Sequence, residues 1–223
     1  MAASIVDQDD NGNANAAFVF EINVMEARFA SRSVVSDVYR GVRQMNNFIY
    51  SNTNIAGTIV RHYETDKSFD CNNLSRSEAR QWIKNENGVG GDGAFIFLVN
   101  CNGLGLADSA GAWKNGPAVG FSPYKDDSNR RAANITCHEG LHTHVLGGIC
   151  SQVRDNEHSL GGARKKTDGR DFYTPFGTGG GSGTYNGPCS TDDRSPDGFT
   201  QNPTNCTLRA IEDSRDHARG DHN

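Results

Sequence analysis

The segment that most constrains this chain is His138-Glu-Gly-Leu-His142, which closes a run composed to be helical. Residues 130–137 lead into it with good helix formers and neither Gly nor Pro. Ala133, Cys137, Leu141 and Val145 recur every four residues, a narrow apolar stripe that needs a core to face. Gly147-Gly148 is the expected stop. Gly140 breaks the pattern, because inside a helix it costs about 1 kcal/mol against Ala. Its presence predicts a neighbour packed close to the helix at that point.

A helix brings positions i and i+4 to one face, so His138 and His142 aim two imidazoles at one place. Glu139 follows the first histidine and can reach a water held there. H-E-x-x-H on a helix suits zinc, whose catalytic sites take three protein ligands and leave one position open. The carboxylate then takes a proton from the water. A third ligand must come from elsewhere. In the short-spaced pattern H-E-x-x-H-x-x-G-x-x-H it would fall at Gly148, and the pattern's glycine at Val145, so that pattern is absent. His144 points about 200° around the helix from His142 and reads as a packed or solvated histidine. The next candidates are Glu157 and His158, in Asp155-Asn-Glu-His-Ser-Leu-Gly161. A turn at Gly147-Gly148 can return this segment beneath the helix. Glu157 would complete a two-histidine, one-glutamate site and His158 a three-histidine site; the reading favours His158.

The bulk properties set outer limits. With 223 residues the chain can form one compact catalytic domain of two lobes or two small domains. A formal charge of −5 and a pI near 5.8 provide no basic field for nucleic acid. Six cysteines without a C-x-x-C pair point to disulfides and an oxidising compartment rather than a structural zinc ribbon. Cys137 and Cys150 are not expected to pair with each other, since about ten helical residues would hold them about 15 Å apart. Cys189 with Cys206 closes a plausible loop, and few or no free thiols are expected. Asn73, Asn134 and Asn205 begin three-residue glycosylation patterns, with a glycan improbable on the helix at Asn134. No window is apolar enough to span a membrane. The first ten residues do not read as a signal peptide; the cysteines favour a leader that has been removed.

Residues 1–16 read as a mobile polar lead-in to a single domain over 17–223, its upper lobe 17–148 and lower lobe 149–223. Asp7-x-Asp9-x-Asn11-Gly12 copies half a calcium loop, but Phe18 stands where the bidentate Glu belongs. Strands are expected over 17–24, 55–63 and 94–99, with an edge strand at 117–121. Helices are expected over 32–50, from the capping box Ser75-x-x-Glu78 through Trp82, and over 207–219, with Leu208, Ile211 and Arg215 inward. Residues 150–206 are Gly-, Asn-, Asp- and Pro-rich without a clear period, and Gly179–Gly183 reads as a flexible loop.

With its last histidine in an Asn-Glu-His-Ser-Leu-Gly segment, the chain resembles metzincin-like zinc metallopeptidases of extended spacing. In such proteins a Thr-Pro-Met turn follows beneath the metal; Thr174-Pro175-Phe176 stands in the matching place, with Phe for Met. The resemblance is specific over 137–161 and extends as layout over most of 17–219. It implies an α+β, zincin/metzincin-like fold: a mixed twisted sheet, an active-site helix and a loop-rich C-terminal lobe closed by a helix. It implies a secreted, monomeric zinc endopeptidase acting on peptides or proteins. His138, His142 and His158 would hold Zn2+, and Glu139 would be the catalytic base. An edge strand within 94–121 would take the substrate as an added strand, with 177–187 near the primed side. Tyr173 and Tyr185 are candidate oxyanion donors. One rival reading is a non-catalytic zinc-containing binding module, closed by a fourth ligand such as His144, Cys150 or Asp155. The other is a zinc hydrolase acting on a non-peptide bond. Glu139 argues against the first, because a purely structural site has no use for it.

Overall fold

The computed structural model describes residues 3–26, 30–103, 105–108, 112, 116–125, 128–151, 153, 157–161, 163–165, 171–177 and 198–220. It is an α+β fold built on a mixed six-stranded sheet. In chain order the upper part runs β1 (Ser4–Gly12), β2 (Phe20–Glu26), α1 (Arg32–Asn52), β3 (Gly57–Glu64), α2 (Arg76–Asn85), β4 (Ala94–Val99), β5 (Leu106–Ala107), β6 (Ala118–Pro123) and α3 (Asn129–His142). The later part holds a 3-10 turn at Glu157–Leu160, the paired strands β7 (Ala163–Lys165) and β8 (Asp171–Tyr173), a second 3-10 turn at Pro175–Gly177, and α4 (Asn205–Arg219). Among the described residues, no helix is long and apolar enough to cross a membrane.

The strand order is β1-β3-β2-β4-β6-β5. The four central strands are parallel, and each edge strand is antiparallel to its neighbour. β4 shows why its sequence is a continuous apolar run. Ala94, Ile96 and Leu98 join the core beneath the sheet with α1, α3 and α4. Phe95, Phe97 and Val99 join the core above it with Ala79 and Ile83 of α2. A strand covered on both sides needs apolar residues at every position. Phe69 fills the upper core edge-on against Phe97 and Phe121, at 4.9 Å from each ring.

Three expectations are corrected. The polar lead-in forms a strand over Ser4–Gly12, laddered along β3. Asp7 and Asp9 pair with His62 and Val60, so they share the α1 face of the sheet. Asp9 accepts a bond from Arg43, and Asn11 donates to Asn47 and Thr58. The strand at 117–121 is internal rather than an edge; β5 lies outside it. α3 ends at His142, before Gly147-Gly148. Thr143 donates its hydroxyl to the Gly140 carbonyl at 2.6 Å, and His144 places Nδ1 2.9 Å from the same oxygen. Side chains that bind backbone carbonyls locally compete with the next helical turn.

The cysteines divide. Cys71 and Cys101 form a disulfide that ties the approach to α2 to the end of β4. Closing a loop of 30 residues stabilises a fold by about 3–4 kcal/mol in the chain-entropy account. Cys206 is disulfide-bonded, and its expected partner Cys189 lies outside the described residues. Cys137 and Cys150 are free and buried and, as expected, are not paired with each other. Cys137 belongs to the apolar stripe of α3, and Cys150 donates to the Leu146 and Ala210 carbonyls.

Candidate metal centre

α3 positions the site because it is held on every side. Ser128 caps its first turn by accepting the Arg131 N–H. Its stripe of Ala133, Cys137 and Leu141 enters the lower core, with Val145 following just past the helix. A side chain at Gly140 would begin 2.5 Å from Ile22 Cδ1, so the glycine lets α3 lie against β2. A Cβ at Gly41 of α1 would come within 2.8 Å of Ala133 Cβ, a second close approach.

At the end of this helix His142 Nε2 lies 3.0 Å from His138 Nε2. The turn Glu157–Leu160 brings His158 Nε2 to 3.2 Å from the same atom. One nitrogen from each of the three histidines lies within 4.8 Å of the others, a group that could hold a metal ion. Glu157, the alternative third ligand, is turned toward Gly147, where an added Cβ would meet its Oε1 at 2.6 Å. The Pro175–Gly177 turn runs beneath. Its Phe176 ring lies 5.4, 5.0 and 6.3 Å from the His138, His142 and His158 rings and is fully buried. His138 donates Nδ1–H to the Pro175 carbonyl at 2.7 Å. A carbonyl can only accept, so this bond fixes the tautomer that leaves Nε2 bare and facing the other two rings.

Burial sets the protonation states. It lowers His138 to about 4, against the pull of the Pro175 carbonyl. It lowers His142 to about 2, with His138 and His158 adding to the effect, and it lowers His158 as well. Neutral imidazoles are the form that binds metals. Glu139 is buried, with Oε1 3.9 Å from His138 Nε2, and burial raises its carboxyl to about 8. A cation among the imidazoles would favour the carboxylate and bring that value down.

Protein-family models and curated proteins were both searched with this chain, and none matches.

Among the described residues, the other expected groups are engaged elsewhere. His144 is fully buried and stacked on Phe20, with ring centroids 4.0 Å apart. Cys150 is bound up with Leu146, Ala210 and Ser214. Asp155, Tyr185 and residues 178–187 lie outside the described residues. The Tyr173 ring packs against Phe199. Asn134 is buried and donates to the Thr200 carbonyl at 2.7 Å, tying α3 to the later part of the chain. That bond, rather than a glycan, uses its amide.

Two features escaped the sequence reading. The Pro175 carbonyl that orients His138 is a backbone group, invisible in residue type. The second is Gly105, where a Cβ would fall 2.1 Å from Glu139 Oε1, so the chain leading into β5 passes directly over that carboxylate. A glycine beside a short strand is the available signal, because it marks close approach of another group to the backbone.

Proposed function

We propose that this protein is a zinc-dependent endopeptidase, exported from the cell, that hydrolyses peptide bonds in an extended substrate. One observation carries the reading: three imidazole nitrogens converge within 4.8 Å, a carboxylate stands beside them, and among the described residues no fourth protein ligand joins them. A closed structural site would take four. When bound, zinc supplies Lewis acidity that lowers the pKa of a water and polarises a carbonyl.

The chain's own groups do the rest. Pro175 holds His138 in the ligating tautomer, and Phe176 excludes water from below. Glu139 takes a proton from the attacking water as its oxygen bonds to the carbonyl carbon. It returns the proton to the amine nitrogen as the C–N bond breaks. β5 is the sheet edge beside this carboxylate, so an extended peptide laid along that edge would pass Glu139. The Cys71–Cys101 disulfide supports an oxidising compartment.

The test combines zinc analysis with digestion of a peptide library, with and without chelator, for the parent and Glu139→Gln. The expected result is a single zinc per chain in both. Cleavage should disappear with chelator and fall about 10²–10⁴-fold in the variant. Cleavage by Glu139→Gln at the parent rate would overturn the mechanism; a zinc-loaded parent inert toward every peptide would overturn the substrate class.

A further inference from the structure

The upper helix α2 reaches the edge strand in a way the hydrolytic reading does not require. The Asp108 N–H bonds to the Val119 carbonyl at 2.9 Å, so Asp108 faces into the sheet. Backbone groups alternate along a strand, and the Ala107 N–H and C=O therefore point away from β6, along the open edge. Arg76 Nη1 donates to that Ala107 carbonyl at 2.6 Å. Its guanidinium thus occupies the outer edge of β5, two residues from the Gly105 backbone that lies over Glu139.

Among the described residues the charge there is unbalanced. Arg80 is paired with Asp108, whose Oδ2 also accepts the Val119 N–H. Arg76 lies 3.5 Å from Oδ1 of the same carboxylate, long for a charge-assisted bond. Two guanidinium groups share one carboxylate. Arg76, with a side chain 38% exposed, keeps donors available beyond the one given to Ala107.

We infer that Arg76 is a specificity-determining residue that binds a carboxylate on the substrate, an Asp or Glu side chain in the peptide segment running along β5 past Gly105. The planar guanidinium suits this by geometry as well as charge. The inference rests on the proposed peptidase reading.

The experiment compares zinc-loaded parent, Arg76→Gln and Arg80→Gln on one peptide series. Each position flanking the scissile bond carries Glu or Gln in turn, and kcat/KM is measured for each peptide. The parent is expected to prefer Glu at one position by about tenfold or more, the scale of a hydrogen bond to a charged group. Arg76→Gln should erase that ratio with zinc content unchanged. Arg80→Gln removes the same charge without touching Ala107 and should keep most of it. A parent that cleaves the series without preferring Glu anywhere overturns the role of Arg76 while leaving the peptidase standing. Equal loss in both variants also overturns it, since that would be a general field effect. A zinc-loaded parent that cleaves no peptide overturns the peptidase reading, and this inference with it.

Discussion

Phe176 lies under three imidazoles at once, so its bulk sets where they meet. Phe176→Ala should destabilise the fold by about 3–5 kcal/mol, because the site above it has little freedom to collapse. Phe176→Met roughly conserves volume and should cost less than about 1.5 kcal/mol. Urea denaturation of both variants measures the difference, and on the proposed reading zinc affinity should fall in the first far more than in the second. The two free thiols offer a separate check. Burial raises both Cys137 and Cys150, and neither is presented to solvent as thiolate. Iodoacetamide should therefore leave both unmodified in the native protein and label both in denaturant without reductant; native labelling of either would refute its burial. At this scale the sequence was informative where chemistry resides in side chains. His138 and His142 were legible from type and spacing and His158 as the favoured of two candidates, while Phe176 was placed only by the resemblance. The Pro175 carbonyl was not, because every residue has one and only the fold decides where it points.

Helix α3 shows what packing adds to propensity. Replacing Gly140 with Ala should gain about 1 kcal/mol in an isolated helix. Here the new methyl meets Ile22 Cδ1, and overpacking of this kind costs about 1–3 kcal/mol. Gly140→Ala is expected to be neutral or destabilising. Ile22→Val, which removes the Cδ1 in the way, should rescue it. The double variant should be more stable than the sum of the single changes allows, a coupling read from a double-mutant cycle. The periodic elements were readable because their periodicity follows from burial: α1, β4, α3 and α4 lie close to their expected places. β1 was not readable. Its Asp- and Asn-rich sequence has no apolar alternation, and an edge strand is defined by its backbone ladder to β3. β5 is only two residues long, too short for any periodic signal. The short helical turn after His142 was lost to the Thr143 and His144 side chains, whose bonds to Gly140 are a matter of geometry.

Across the whole molecule, the triad joins two parts of the chain that also meet in the lower core and through the Asn134–Thr200 bond. His138 and His142 belong to the helix beneath the sheet, while His158, Pro175 and Phe176 come from the two 3-10 turns later in the chain. A ligand that binds only the folded state stabilises it by mass action, about 4 kcal/mol at a thousandfold excess over Kd. On the proposed zinc reading, treatment with a chelator should therefore lower Tm in calorimetry. Hydrogen exchange should show the loss concentrated in residues 157–177, with β2, β3 and β4 little changed. Uniform loss of protection would mean that the metal serves the sheet rather than the junction. The spacing of these residues also bears on biosynthesis. A chain emerges from the ribosome N-terminus first, and its parts fold as they appear. His158 lies 20 residues after His138, and Pro175 lies 37 after it, so a nascent chain carries two imidazoles before it carries the third or the carbonyl that orients the first. On the proposed reading, the order of synthesis acts as a timer: the chain cannot attack its neighbours, or itself, until most of it has been made.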